Sequence, residues 1–451
     1  MQIFFLGATG TVTGSKYLLS FDSKKVLVDC GLYQGYKELR LRNWDKLPIN
    51  PAEVDAVILT HAHIDHTGYL PLFVKNGFKG PIYSTPGTKE LCAILLPDSG
   101  HLQEEDAYFA NKYGFSKHKP ALPLYTREDA EKVIPQFNTI PFRQNFQLYQ
   151  NFSFDFLRAA HILGSAFVRL KYKDTTIVFT GDMGRSHDPI MREPDIIEST
   201  DYLITESTYG DRIHSAEHPQ DQLAKVINQT AKRGGSVIIP SFAVGRSQSI
   251  LYYISQLKEQ KLIPDLPVFL DSPMAEDVTD IYTRYISEHR LGPEHCKRFC
   301  KVATYVNSVE ESKKIDTYRV PIIIISASGM ATGGRVLHHI KAYAPDERNT
   351  ILFTGYQAGG TRGARMLKGE HEVKIHGQMV PIRAQVEYMT NTSAHADAEE
   401  ILEWLGNFKK APRKVFVTHG EPEGSAALKE KIENKFGWTC EVPHYLQQEQ
   451  L

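Results

Sequence analysis

His61, His63, Asp65 and His66 crowd one turn, Thr60-His61-Ala62-His63-Ile64-Asp65-His66-Thr67-Gly68, directly after an apolar stretch. Imidazoles and a carboxylate at this spacing are metal ligands. A solvated polar turn explains one such histidine, but burying four uncompensated polar groups would be costly. The stretch Val54 to Thr60 is short, β-branched and apolar, so it reads as a buried strand ending on a loop. His61 and His63 then point the same way and share one ion, while Asp65 and His66, on the turning backbone, reach a second.

Such a loop needs remote ligands, and three candidates sit in similar settings. His161 follows the strand-like Phe154 to Ala160 and precedes Gly164-Ser165. Asp182 follows Thr176-Ile177-Val178-Phe179-Thr180-Gly181, and His419 follows Lys414-Val415-Phe416-Val417-Thr418. Each alone is an ordinary loop residue. Together they repeat one geometry, a strand that ends on a ligand. Asp29 ends Val26-Leu27-Val28 in the same way, where a simple turn is an equal reading.

These residues, in this order, resemble the metallo-β-lactamase fold, whose signature is the H-x-H-x-D-H loop followed by a later His and a later Asp. Glu206 in Thr205-Glu206-Ser207-Thr208, His395 in Ser393-Ala394-His395-Ala396-Asp397, and His419 are similar to the three further motifs of the β-CASP nucleases. The resemblance spans nearly the whole chain. It implies an α/β protein, an αββα sandwich carrying an inserted parallel-sheet β-CASP domain, with Asp29 supporting the metal loop from behind.

The expected ligand sets are His61, His63 and His161 for one ion and Asp65, His66 and His419 for the other, with Asp182 bridging both. Zinc suits these ligands, and manganese or iron is compatible with them. Two ions about 3.5–4 Å apart would activate a shared hydroxide for in-line attack on a phosphodiester. His395 is the candidate general acid for the leaving 3′-oxygen, with Glu206 accepting from its other ring nitrogen; a structural ion pair is the competing reading. Asp65 and Asp182 complete the reacting centre. The resemblance implies an RNA substrate, 5′-phosphate and 3′-hydroxyl products, and internal cleavage in preference to attack from the 5′ end.

Composition fits and sets boundaries. A chain of 451 residues exceeds one ordinary core. Net charge is −1, so nucleic acid would be held by a local basic groove and by metal, not by global charge. Five cysteines, Cys30, Cys92, Cys296, Cys300 and Cys440, lack paired zinc spacing and point to a reduced, cytoplasmic protein. The opening Met1 to Gly7 is too short and uncharged for a signal peptide and reads as a first strand; no run approaches the roughly 18 apolar residues of a membrane span.

Between Tyr209 and about Arg383, strand, loop and helix alternate. Examples are Val237 to Pro240 before the helical Ser249 to Leu257, and Ile322 to Ile325 before Gly333-Gly334-Arg335. This predicts a mostly parallel sheet flanked by helices. The expected division is residues 1–209 and 386–451 for the metal-bearing domain and 210–385 for the insertion, with the site in the cleft between them. Two glycine-rich turns opening helices, around Ser328-Gly329 and Gly359-Gly360, have the form of phosphate cradles. Ser328, Gly329, Arg335, Arg362 and Arg365 are the candidate RNA-backbone contacts, and solvated helix faces explain the arginines equally well.

Two other functions fit parts of the pattern: a hydrolase of a small ester, thioester or lactam, and an inactive scaffold of an RNA-processing complex. The long insertion and the Glu206, His395 and His419 set argue against the first, and the complete ligand set against the second. The chain starts at the first strand and ends soon after His419, so the appended domains of some relatives are expected to be missing, and with them a dimer built through such domains. A homodimer by other contacts stays open, and no residue names a protein partner.

Overall fold

The computed structural model describes residues 1–114 and 116–451. They form two compact units, residues 1–213 with 395–451, and residues 214–394. Both boundaries lie later in the chain than 209 and 385. The reason at the second is pairing: Gln385–Tyr388 is the edge strand of the second unit's sheet, bonded to Thr350–Phe353, so the chain leaves that unit only afterwards.

The first unit contains two seven-stranded sheets. One runs Gln448–Gln450, Gln2–Phe5, Tyr17–Phe21, Lys24–Val28, Ala56–Ile58, Ile82–Ser84, Phe137–Thr139 in spatial order. The other runs Cys440–Glu441, Lys414–Val417, Tyr202–Thr205, Thr175–Phe179, Ala166–Tyr172, Phe152–Arg158, Phe146–Tyr149. Period-two alternation makes the sandwich. Ile3, Phe5, Leu19, Val26, Val28 and Ile58 from one sheet pack on Phe152, Phe154, Phe156, Val168, Leu170 and Phe179 from the other. The opposite face of the second sheet, with Leu157, Phe167, Val178, Leu203 and Val415, packs on helices Ala398–Leu405 and Pro422–Phe436.

Parallel pairing determines where the loops emerge. Lys24–Val28 pairs parallel with Ala56–Ile58, and Tyr202–Thr205 pairs parallel with both Thr175–Phe179 and Lys414–Val417. The carboxyl ends of these five strands lead into Asp29, His61, Asp182, Glu206 and His419. That is the usual edge for a site in sheets with parallel strands.

The second unit has a six-stranded, wholly parallel sheet in the order Thr304–Tyr305, Val268–Asp271, Ile323–Ser326, Val237–Pro240, Thr350–Phe353, Gln385–Tyr388. Its central strands read as continuous apolar runs because helices cover them. A hairpin of Glu372–Ile375 and Gln378–Pro381 forms a separate two-stranded sheet in this unit. Among the described residues, no helix is long and apolar enough to cross a membrane, and all five cysteines are free thiols.

Candidate metal centre

Asp29 organises the first wall of the site. It takes a left-handed backbone, φ 57°, at the end of its strand, a conformation costly for a residue with a side chain. Its Oδ1 accepts from the Thr60 backbone N–H at 2.8 Å, and its Oδ2 accepts from the Thr60 hydroxyl at 2.9 Å and from His66 Nδ1 at 2.7 Å. Holding the proton on Nδ1 leaves the lone pair of His66 Nε2 facing the site. Thr60 Oγ1 lies 3.1 Å from His61 Nδ1 and orients that ring likewise. Gly31 is required because the chain folds tightly on itself here: a Cβ would sit 1.5 Å from the carbonyl oxygen of Asp65.

The downstream loops are pinned by their own contacts. Ser165 Oγ accepts from the His161 N–H at 2.9 Å, and Gly184 lets the Asp182 loop pass so close that a Cβ would lie 2.0 Å from the Ala160 carbonyl oxygen. His419, also left-handed at φ 48°, donates its N–H to the Ala8 carbonyl at 2.7 Å. Met183 ties Glu206 and the segment around His395 to the Asp182 loop. Its N–H donates to Glu206 Oε1, and its carbonyl accepts from Ala396 N–H at 2.8 Å, next to His395.

The result is two groups of donor atoms sharing one carboxylate. His61 Nε2 and His161 Nε2 lie 3.1 Å and 3.2 Å from His63 Nδ1, and 3.3 Å and 3.5 Å from Asp182 Oδ2. On the other side, His66 Nε2 is 3.1 Å from His419 Nε2 and 3.2 Å from Asp182 Oδ1, and His419 Nε2 is 3.5 Å from Asp65 Oδ2. Ligand nitrogens about 2.0–2.1 Å from a tetrahedral ion stand about 3.3 Å apart, so these spacings are those of a coordination shell. Asp182 Oδ1 is buried and accepts no hydrogen bond from the described residues, as an oxygen reserved for a cation would be.

Electrostatics fit the same reading. Burial pushes His63 down to about 3 and takes His61 and His161 below the ordinary imidazole range, so all three keep neutral, ligating nitrogens. Burial opposes a charged His66, yet Asp182 and Asp29 outweigh it and hold its pKa well above the usual value. Burial by itself would raise Asp65 and Asp182, but the surrounding imidazoles, with His419 prominent for both, hold Asp65 at about 2 and Asp182 well below the carboxylate range. Ionised Asp65 and Asp182 beside neutral His61, His63 and His161 suit a bound cation, which would take the place of the proton that Asp182 and Asp29 favour on His66; this is a divalent-metal site.

His395 stands beside it. Its Nδ1 is 3.0 Å from Glu206 Oε2 and 4.0 Å from Asp182 Oδ2, and its ring centroid is 4.4 Å from that of His161. Burial disfavours its imidazolium, but the charges of Glu206 and then Asp182 prevail and raise its pKa.

All seven candidate ligands, with Asp29, Glu206 and His395, therefore meet at one edge of the first unit. The candidate RNA contacts belong to the second unit, where each has internal partners. Arg335 donates to Asp271 Oδ1 at 2.7 Å and to the carbonyls of Val306 and Asn307. Arg362 donates to the carbonyls of Lys374 and Thr332, and Arg365 pairs with Glu370. Ser328 Oγ lies 3.0 Å from the Thr332 hydroxyl, and a Cβ on Gly329 would sit 2.7 Å from the Phe242 ring, so packing alone demands that glycine. Motif and spacing did not single out Thr60, Ser15, whose Oγ is 3.3 Å from Asp29, or Thr208, which is 3.3 Å from His419 Nδ1. Hydroxyls adjoining strand-end ligands were the available signal.

Comparison with known proteins agrees with this geometry. The Metallo-beta-lactamase superfamily matches residues 10–223, the Beta-Casp domain residues 247–366, and the Zn-dependent metallo-hydrolase RNA specificity domain residues 379–443. The chain belongs to the β-CASP family of metallo-β-lactamase-fold proteins. It is 36% identical to Ribonuclease TTHA0252 of Thermus thermophilus, over 95% of each chain. It is 31% identical to the transcription termination factor FttA of Methanosarcina mazei, over 96% of this chain and 69% of that one. A crystal structure of a protein of unknown function from Enterococcus faecalis shares the fold along 100% of this chain and 99% of that one, with TM-score 0.55 and 14% identity.

Proposed function

We propose that this protein is a metal-dependent ribonuclease that hydrolyses RNA phosphodiester bonds. The observation that carries this reading is the pairing of a shared-carboxylate metal cradle with His395 held on Glu206, a proton donor beside a centre suited to phosphate. The membership of the family and the ribonuclease name of a relative matched along 95% of its length support RNA as the substrate.

His61, His63 and His161 would hold one ion and Asp65, His66 and His419 the other, with Asp182 between them; zinc is the ion their chemistry favours. Bound divalent ions would supply Lewis acidity toward a phosphate oxygen and a nucleophilic water at neutral pH. The chain's own residues do the rest. Asp29 and Thr60 keep His66 and His61 in the ligating tautomer. Glu206 holds His395 Nδ1, so the proton at Nε2 faces away from that carboxylate and is available to the departing ribose 3′-oxygen. The products are a 5′-phosphate and a 3′-hydroxyl, and internal cleavage is favoured over attack from the 5′ end.

The test is cleavage of an unstructured RNA labelled separately at each end, by metal-analysed wild type, Asp182→Ala and His395→Ala, with single-stranded DNA and a chromogenic lactam in parallel. RNA cleavage that disappears with Asp182, and internal fragments appearing before either end shortens, are the expected results. Intact RNA beside lactam turnover by metal-loaded protein would replace this reading with a small-molecule hydrolase.

A further inference from the structure

The long helix Pro86–Tyr113 begins beside the candidate site and ends far from it. Thr85 at its N-cap and Thr88 in its first turn both donate hydroxyls to the Gly164 carbonyl, at 2.6 Å and 2.9 Å, in the loop that carries His161. Its 28 residues give a contour of about 42 Å. At the far end the helix does something unusual for a surface element. Tyr108, Phe109 and Tyr113 are 58%, 42% and 67% exposed.

These rings are arranged, not scattered. The Phe109 and Tyr113 rings lie 8° from parallel with centroids 6.1 Å apart, and Tyr108 meets Phe109 edge-on at 5.4 Å. Lys112 Nζ stands 5.6 Å and 5.7 Å from the centroids of Tyr108 and Tyr113. The chain then supplies Lys117, His118 and Lys119, all exposed, and no acidic residue occurs from Ala107 to Thr126. Among the described residues, Lys112, Lys117 and Lys119 form no salt bridge. The nearest acidic residue on the helix is the exposed Asp106, just before this stretch; preceding it, Glu105 pairs with His101 and Glu104 accepts the Arg127 N–H.

Exposed aromatic faces interleaved with cations are what a flexible polyanion bearing stacked bases requires. A hydrophobic partner face would not select three lysines. We propose that Tyr108, Phe109 and Tyr113, with Lys112, Lys117 and Lys119, form a stacking platform for single-stranded RNA, remote from the reacting phosphate. This rests on the ribonuclease reading and extends it: the platform holds nucleotides distant from the cut and favours long, unpaired substrates. It contributes to binding and not to chemistry.

The experiment uses the metal-loaded full chain with Tyr108→Ser/Phe109→Ser/Tyr113→Ser and, separately, Lys112→Gln/Lys117→Gln/Lys119→Gln. The probes are an unstructured RNA of roughly 30 nucleotides and one of about six, near one platform's site size. The aromatic variant should raise KM for the long RNA about tenfold, with kcat and the short RNA unchanged. The lysine variant should flatten the salt dependence of long-RNA binding by about two logarithmic units per decade, about 0.7 for each phosphate that is no longer neutralised. Photo-cross-linking of thiouridine-substituted RNA should mark the peptide containing Tyr108 and Tyr113. An unchanged KM and salt slope overturn the platform, and if the aromatic variant instead loses self-association by light scattering, the face is an interface between copies. Should the wild type cleave no RNA, the ribonuclease reading fails, while cross-linking and salt slopes still decide whether this face binds RNA.

Discussion

Asp182 in the first unit and Asp271 in the second are both buried aspartates at the carboxyl end of a strand in a parallel pair. Asp271 is surrounded by donors. Its Oδ1 accepts from Arg335 at 2.7 Å, its Oδ2 from His339 Nε2 at 2.7 Å and Ser312 Oγ at 2.5 Å, and His339 gives its second N–H to Asp316 at 2.7 Å. Asp182 faces imidazole nitrogens instead. His61 Nε2 and His66 Nε2 stand nearest its oxygens, on rings whose Nδ1 atoms are held by Thr60 and Asp29, and its Oδ1 accepts no hydrogen bond from the described residues. Two clusters, each built on a buried aspartate with imidazole neighbours, thus differ in whether their hydrogen-bonding capacity closes on itself. A closed network is scaffold, and a convergent, unclosed one is a site.

The comparison is broken most severely by removing each aspartate in turn. Asp182→Asn should empty the cradle, with metal content falling below that of the wild type and cleavage dropping by at least the roughly 10³-fold that follows loss of a charge-stabilising group. The fold should survive, because the variant removes a buried charge that only imidazoles and a cation offset. Asp271→Ala should do the reverse. It strands His339 and Arg335 without their shared acceptor and costs about 3–5 kcal/mol, read by denaturant unfolding, with full metal content in the protein that remains folded. Metal loss in Asp271→Ala, or unfolding in Asp182→Asn, would mean that the distinction between scaffold and site has been drawn wrongly.

Two substitutions sharpen the site side. His395→Ala leaves every candidate ligand in place, so metal content should be retained while kcat falls roughly 10²–10⁴-fold, the usual contribution of a positioned general acid. An RNA with an activated leaving group that needs no proton should restore much of that loss, whereas a purely structural ion pair with Glu206 predicts no such rescue. Asp29→Ala frees the Nδ1 side of His66 without removing any candidate ligand. Metal affinity should weaken about 10–100-fold, measured by competition with a chelator, and excess metal should recover the activity.

Much of the first cluster was legible because its ligands follow strands that the sequence marks plainly. Val54 to Thr60, Thr176 to Phe179 and Lys414 to Val417 are apolar and β-branched or aromatic, and parallel pairing brings their carboxyl ends to one edge. The second cluster was not legible. Asp271 meets Arg335, His339 and Ser312 across loops and helices, and nothing local to Arg335 distinguishes a guanidinium turned toward a buried carboxylate from one turned toward RNA. The same limit concealed Thr60, whose hydroxyl matters only because Asp29 lies opposite it on the neighbouring strand. The edge strand Gln385–Tyr388 carries the second unit past residue 385, and at four residues, half of them polar, it does not stand out in the sequence.

The smallest expected effect is a pH response confined to the closed network. Burial lowers the pKa of His339, but hydrogen bonds to Asp271 and Asp316 more than compensate and place it at about 8, above the ordinary 6.5. The folded state therefore holds this proton more tightly than the unfolded chain does. Its stabilisation is fully present below pH 6.5 and is lost as pH rises through 8, a contribution of about 2 kcal/mol. Asp271 is shifted the other way, lowered despite its burial by His339, Ser312 and Arg335, so its contribution is lost only as pH falls through that depressed value. Between those limits the second unit should be at its most stable. Hydrogen exchange in Val268–Asp271 and Ile323–Ser326, corrected for intrinsic rates, should show weaker protection at pH 9 than at pH 6. His339→Gln, which keeps hydrogen-bonding capacity without a titrating ring, should be less protected at pH 6 and show no such difference. If the variant retained the full difference, the proton would reside elsewhere and the network would not be the closed one its geometry describes.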